Sequence, residues 1–465
     1  MALAVVASAP RARPLTLLTA AQARGWLKKQ TAATRNWLDA AGFTVKAGEL
    51  ALLPSASGRG VVGAVFIFAG DGSSEDFWRL AGLASRLPAA AWKLETALAA
   101  DVAERIAIAW GIGAYQFARY RKAGRAPAKL VLPANADRQS VLRVVEANAL
   151  VRDLVNTPSQ DMGPEELAAA AVEMAKALGM ESRVLVGDAL LADGYRLVHA
   201  VGRASVRAPR LIDLNWGDKA HPRVTLVGKG VCFDTGGLDL KGADGMKFMK
   251  KDMGGAAHVL GLAQMIVRAK LPVRLRVLVP AVENSVSGNA FRPMDVVTSR
   301  KGLTVEIGNT DAEGRLILAD ALHEASLENP ALIVDMATLT GAARVALGPE
   351  LPATFCNDDA LAADLARHAT ASADPLWRMP LWKPYRPLLE SKVADLNNIS
   401  GGPMGGAVTA ALFLQDFVAP GIAWVHFDMF AWNATSRPGR PEGAEAQTLR
   451  AVFATIRERF ALAGS

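Results

Sequence analysis

Short apolar runs bounded by turns alternate with amphipathic stretches along most of this chain. Up to about residue 128, a strand-like run at 61–68 and a helical stretch at 101–121 lie in an Ala-, Leu- and Arg-rich segment, which predicts a small α/β domain. The pattern breaks at Ala123-Gly124-Arg125-Ala126-Pro127, resumes as a short strand at 129–132, and continues as a helix at 138–156. That helix stops at Thr157-Pro158, because a residue before proline is pushed out of the helical region. The predicted organisation is an N-terminal α/β domain at 1–132, a linker helix at 133–158 and a larger C-terminal domain at 159–465. In the larger domain, apolar runs at 224–228, 273–282, 331–337 and 424–429 alternate with helical segments at 255–270, 316–326 and 407–418. Such alternation implies an α/β fold with a mixed, largely parallel sheet flanked by helices. Sites in these folds gather at the carboxyl ends of strands, and Lys229, Asp234, Glu283, Asp311 and Thr338 all follow predicted strands.

Composition narrows the chemistry. With 465 residues, 51% of them hydrophobic, the chain is long enough for two well-buried domains. Cys232 and Cys356 are the only cysteines, which excludes a disulfide framework and a cysteine-based zinc knuckle and fits a reducing compartment. A metal would therefore be held by oxygen or nitrogen. The apolar run at 1–10 has no basic residues before it, so a secretory signal is not expected, and no uncharged stretch reaches membrane-spanning length. A cytoplasmic protein is the expectation. A net charge of +7 raises nucleic acid as a partner, although the densest basic group, Arg119 to Lys122 with Arg125 and Lys129, reads more simply as a solvated helix end.

The octapeptide Asn309-Thr310-Asp311-Ala312-Glu313-Gly314-Arg315-Leu316 is the densest chemical signal. In extended backbone, Asp311 and Glu313 would point the same way, with Arg315 continuing the row. Convergent carboxylates need a positive partner, usually a metal. The competing reading is a capping box, Thr310 to Glu313, opening the helix that follows. A second acidic cluster upstream, Asp234 and Asp252, is interleaved with Lys229 and Lys241 around glycine-rich turns. Taken singly, Asp252 reads as the N-cap of the next helix and Asp234 as a turn aspartate. The glycines of 228–237 lack the Gly-Lys-Ser/Thr ending of a phosphate loop. Taken together, these residues predict one site for two divalent cations, bridged by Asp234 and Glu313 and completed by Asp252 and Asp311. Carboxylates suit magnesium, manganese and zinc, and a metal pair that activates water performs hydrolysis.

Lys229 to Asp234, Gly236 to Lys241, Lys251 to Gly255 and Asn309 to Leu316 resemble the motifs of the leucyl aminopeptidase family, the cytosolic M17 metallopeptidases. Arg152 to Pro158, Ser287 to Pro293, Ala337 to Gly341 and Ala394 to Asn398 also resemble it, in order, from about 150 to 430; the N-terminal third does so mainly at Gly111 to Phe117. The resemblance implies removal of the N-terminal residue from peptides with a free α-amine. It implies two metals per subunit, Mn²⁺ or Zn²⁺, with Mg²⁺ or Co²⁺ as further candidates. Lys229 as neutral amine, Asp234, Asp252 and Glu313 would hold one ion; Asp234, Asp311 through side chain and carbonyl, and Glu313 would hold the other. Lys241 would stabilise the oxyanion, and Arg315 would hold a bicarbonate that relays the water's proton. Met249, Thr338 and Gly341 would line the pocket for the first side chain, and the assembly would be a homohexamer.

This chain departs from the family's pattern at Asp239 and Gly242, where serine and proline are common, and after Asn433, where the usual Gly-Ala-Thr-Gly segment is missing. Leucine preference is therefore not carried over. DNA binding is the alternative function, and a catalytically inactive scaffold is disfavoured because every implied ligand is present.

Overall fold

The computed structural model describes residues 4–55, 60–122 and 124–461, so Ala123 of the expected interdomain break and the first three residues of the N-terminal apolar run lie outside the described residues. The chain divides into two compact units, one comprising 1–149, 370–373 and 433–442 and the other the remainder. The helix Arg138–Asn156 carries the chain from the first into the second and ends, as its Thr-Pro signal predicts, at Asn156.

The smaller unit contains a six-stranded sheet in the order Val5–Val6, Lys129–Val131, Ala91–Leu94, Arg13–Leu18, Val61–Ile67, Leu50–Pro54. All pairings are parallel except the last. Leu15, Val65, Phe66, Ile67, Trp92 and Leu130 form its buried core. The expected helix at 101–121 is shorter, Ala100–Gly113. A Cβ on Gly113 would lie 2.0 Å from the carbonyl oxygen of Ala81, so this end of the helix is pressed against another backbone and the chain leaves it there. The basic group Arg119 to Lys122 therefore lies in a loop rather than on a helix end. Residues 433–442 also belong to this unit, where Arg440 stacks on Trp78 and Gly439 packs on Ala81.

The larger unit is built on a nine-stranded mixed sheet. Its parallel centre runs Trp424–Asp428, Leu332–Ala337, Arg223–Gly228, Arg274–Asn284; Arg210–Trp216 and Glu181–Val186 continue one edge antiparallel, and Ala353–Cys356 and Trp377–Arg378 form the other. Leu332–Ala337 is buried at every position, as expected of a strand covered on both faces. The helices Gly254–Arg268 and Glu313–Ser326 pack on the sheet through long buried faces.

Two features of this sheet create the site. Past Gly228 the chain leaves its pairing with Leu332–Ala337, and Gly230–Asp234 pairs instead with the far end of Arg274–Asn284, so Lys229 falls at the divergence. At the same place the helix Gly254–Arg268 comes down onto the strands. A Cβ on Gly255 would lie 2.0 Å from the carbonyl oxygen of Met336 and 2.9 Å from the amide nitrogen of Lys229. Only glycine permits that approach, and it allows the Ala256 amide to donate to the Lys229 carbonyl at 2.8 Å.

Candidate metal centre

Lys229 is the hub of the site. Its side chain is 3% exposed, and Nζ lies 2.7 Å from Asp252 Oδ2, 2.9 Å from Glu313 Oε1 and 3.2 Å from the carbonyl oxygen of Thr338. Neither carboxylate oxygen has a hydrogen-bond partner of good geometry, so both are held by charge alone. Asp234, Asp252 and Glu313 are all buried and offer oxygens within 4.8 Å of one another. Lys241 stands on the other side, 2.9 Å from Asp234 Oδ2 and in contact with Asp311 Oδ1.

The expected extended row of Asp311, Glu313 and Arg315 is not what forms. Asp311 sits in a turn and Glu313 is the first residue of the helix Glu313–Ser326, so the two acids reach the site from different backbone conformations. Nor does Thr310 cap that helix, whose N-cap is Ala312 without a side-chain bond. Thr310 Oγ1 donates to the Gly236 carbonyl at 2.6 Å and accepts from the Asp239 amide at 2.8 Å, tying the two motifs together. Asp239 returns the contact, its Oδ2 accepting from the Thr310 amide at 2.7 Å, so this departure from the family pattern is a structural brace. Asp252 is likewise no cap: it lies in a 3₁₀ turn, Met249–Met253, and accepts from Thr338 Oγ1 at 2.7 Å. Asp234 does fill the turn role, accepting from the Gly236 amide at 2.9 Å, but keeps Oδ2 toward Lys241.

Two supporting asparagines had no assigned role at the level of sequence. Asn284, fully buried, donates to Asp234 Oδ1 at 2.9 Å and to the Thr310 carbonyl at 3.1 Å. Asn398 accepts from the amides of Gly308 and Asn309 and donates to the Asn309 carbonyl at 2.8 Å, which sets the path of the octapeptide. Its own carbonyl accepts from Arg315 Nη1 at 2.7 Å. A buried amide following a strand is the only local signal either residue carries.

The electrostatics describe a site short of positive charge. Burial, then the charge of Asp234, pushes Glu313 up to about 8, against the pull of Lys229. Asp311 rises to about 6 for the same two reasons. Asp252 stays below the usual carboxylate range: burial opposes ionisation, but Lys229 and Lys251 outweigh it. Burial likewise disfavours the Lys229 and Lys241 ammonium groups, yet their carboxylate neighbours hold both protonated. Four carboxylates face the ammonium groups of Lys229 and Lys241, with Lys251 4.0 Å from Asp252, and the oxygens of Asp252 and Glu313 beside Lys229 lack hydrogen-bond partners. An oxygen-rich donor set of this kind fits hard or borderline divalent cations. Arg315 is buried, drawn down to about 10 by that burial, and its Nε has no hydrogen-bond partner. A guanidinium in that position is suited to an anion.

A cavity of about 540 Å³ opens onto the cluster, lined by Lys229, Asp234, Lys241, Asp252 and Asp311 on one side. Met249, Thr338, Gly341, Leu339, Pro349 and Phe430 line the rest, with Lys251 and Arg344 among them. The two histidines nearest in sequence take no part. His258 bridges Gly254 O and the Gln447 amide, and His323 lies half-buried near Lys301 and Arg300. Glu283 is directed away, to Ser205 Oγ at 2.6 Å. Cys232 is buried, and burial holds its thiol well above the ordinary value. Among the described residues, no helix is long and apolar enough to cross a membrane.

Comparison with known proteins identifies the family. The catalytic-domain model of the cytosol aminopeptidase family matches residues 149–453, and that of the M17 aminopeptidase N-terminal domain matches 13–133. A probable cytosol aminopeptidase of Syntrophotalea carbinolica is 45% identical over 309 residues, which is 66% of this chain and 62% of that relative's length. The crystal structure of the cytosol aminopeptidase of Coxiella burnetii superposes with a TM-score of 0.93 at 48% identity, covering 98% of this chain and 99% of that one. The bottromycin maturation enzyme BotP in complex with Mn superposes at 0.85 with 35% identity, covering 97% and 100%. With its buried acidic cluster, both domains matched and a fold shared over its length, this chain belongs to the cytosol aminopeptidase family, the M17 peptidases.

Proposed function

We propose that this chain is a metal-dependent aminopeptidase that removes the first residue from peptides with a free α-amine. The observation that carries this reading is the buried group Asp234, Asp252 and Glu313, with oxygens within 4.8 Å of one another, beside Lys229 and open to a cavity of substrate size. Lys229, Asp234, Asp252, Asp311 and Glu313 would hold two divalent ions. Such a pair lowers the pKa of a water and polarises the carbonyl it attacks. Manganese is a natural first candidate, since the related BotP was solved with it.

The chain's own residues have separable parts. Lys229 serves as a ligand only as a free amine, so it gives up its proton when the site is loaded. Lys241 is already held charged by Asp234 and Asp311, and at the cavity wall it is placed to donate to the oxygen that becomes negative as the peptide carbonyl is attacked. Asn284 fixes Asp234 so that its second oxygen faces the cluster. Arg315 would bind bicarbonate, which supplies a base where no histidine stands. Thr338 orients Asp252, and with Met249 and Gly341 it forms the wall against which the first side chain rests. Assembly as a homohexamer in the cytoplasm follows from the same family reading and is testable by light scattering.

The deciding experiment is hydrolysis of free and N-acetylated aminoacyl p-nitroanilides by protein stripped with chelator and reloaded with Mn²⁺, Zn²⁺ or Mg²⁺. Metal-restored activity confined to free amines is expected. Folded protein inactive with every metal would overturn the reading.

A further inference from the structure

The cations that line the cavity are not equivalent. Lys229 is engaged by Asp252 and Glu313, and Lys241 by Asp234 and Asp311. Arg344 Nη1 lies 2.6 Å from Asp428 Oδ1 and donates to the Met429 carbonyl at 3.2 Å. The neighbouring Lys250 donates to the Asn156 carbonyl at 2.6 Å. Lys251 differs from all of these. Its side chain is 4% exposed, and its Nζ makes no hydrogen bond to any described residue. Its ammonium lies over the Phe430 ring, 5.0 Å from the centroid, and 4.0 Å from Asp252 Oδ1, an oxygen that already accepts from Thr338. Asp252 Oδ2 is engaged by Lys229 and Oδ1 by Thr338, so Asp252 answers Lys251 by charge across 4.0 Å and not by a hydrogen bond.

An ammonium has three strong donors, and leaving them unmade in a buried place is costly. The acceptors must come from whatever fills the cavity. Around Lys251, the apolar surfaces of Met249, Leu339, Pro349 and Phe430 suit a short hydrocarbon stem, and the ammonium among them suits a negative end. A leucine in this pocket would cover Lys251 without satisfying it. A carboxylate on the same stem would meet it with charge-assisted hydrogen bonds.

We infer that Lys251 determines specificity and that the pocket selects peptides whose N-terminal side chain carries a carboxylate, aspartate or glutamate. The inference rests on the aminopeptidase reading of the same site. It also supplies what the family resemblance leaves open, because the segment after Asn433 departs from the family's pattern and leucine preference is not carried over.

The test compares kcat/KM for Glu, Asp, Gln and Leu p-nitroanilides on Mn²⁺-loaded wild type, Lys251→Met and Lys251→Arg, alongside calorimetric titration of each protein with free L-glutamate and L-leucine. Wild type is expected to favour an acidic residue over leucine by roughly ten- to a hundredfold, the value of a hydrogen-bonded charge in a desolvated site. Lys251→Met should lower the acidic-to-leucine ratio by a similar factor, Lys251→Arg should restore it, and glutamate should bind wild type more tightly than leucine does. Preference of wild type for leucine, or a ratio moved less than about threefold by Lys251→Met, overturns the inference. Should no aminoacyl substrate be cleaved, the aminopeptidase reading falls and the titration alone judges Lys251: equal binding of glutamate and leucine overturns its role, and a glutamate preference lost in Lys251→Met upholds it.

Discussion

Replacing Gly314 by alanine places a methyl carbon 2.6 Å from Lys229 Cε and 2.7 Å from its Nζ. Ordinary carbon contacts begin near 3.5 Å, so the lysine end must move by roughly 1 Å. Lys229 is 2% exposed, so the open space beside it is the cavity that it lines. A shift of that size stretches the 2.7 Å and 2.9 Å ion-pair contacts to Asp252 and Glu313 to near 4 Å and weakens both. Two stability effects oppose each other. Alanine in the first turn of the helix Glu313–Ser326 gains up to about 1 kcal/mol of helix propensity, while overpacking costs about 1–3 kcal/mol, so the fold survives with a loss of about 3 kcal/mol at most. Function has no such offset, because a misplacement of about 1 Å at reacting groups costs on the order of a hundredfold. Gly314→Ala is therefore expected to unfold within a few degrees of wild type while losing Mn²⁺ affinity by calorimetry and about a hundredfold in kcat/KM. Gly25→Ala, in a helix with nothing within 4 Å of the added carbon, is the control for propensity alone. Gly314→Ala with wild-type Mn²⁺ affinity and turnover would refute the claim that this glycine exists to admit Lys229.

Lys241→Met should lower kcat by about a hundredfold or more with less effect on KM, since the lost donor acts on charge that develops during reaction; kcat within about tenfold of wild type would remove Lys241 from that role. His258 is held neutral by burial, down to about 4 from its ordinary 6.5, despite the pull of the Gly254 carbonyl. The unfolded chain therefore takes up this proton first: stability from His258 is complete above pH 6.5 and falls by up to roughly 3 kcal/mol as pH drops to about 4. Urea unfolding between pH 4 and 7 should show a shallower slope in His258→Asn than in wild type, and identical slopes would contradict the assignment. Asn398→Asp turns a buried donor to the Asn309 carbonyl into an acceptor, at a cost of about 1–3 kcal/mol visible in urea midpoints; an unchanged midpoint would mean that Asn398 does not hold the octapeptide.

Much of this protein is legible in its sequence because the information is local. The helices Arg138–Asn156 and Gly254–Arg268 and the strands Arg223–Gly228, Leu332–Ala337 and Trp424–Asp428 fall within a residue or two of their periodicity signals, since hydrophobic repeat and proline punctuation act over a few residues. The clustering of Asp234, Asp252 and Glu313 with Lys229 was also foreseeable, as carboxylates and lysines beside glycines at strand ends. What tertiary structure decided was how those residues meet. Thr310 fits a capping box as well as a cross-link to Gly236, and only the docking of the two loops chose the second. Asp311 and Glu313 could have shared one face of a strand, yet a helix begins between them because the octapeptide is pinned by Asn398, some 90 residues away in the chain. The helix expected to reach Arg121 stops at Gly113 where a second backbone presses against it. Lys251 belongs to a family-like motif, but its isolation is not legible there: a lysine's partners are set by which acceptors the fold brings within 3.5 Å, and long-range packing alone determines that.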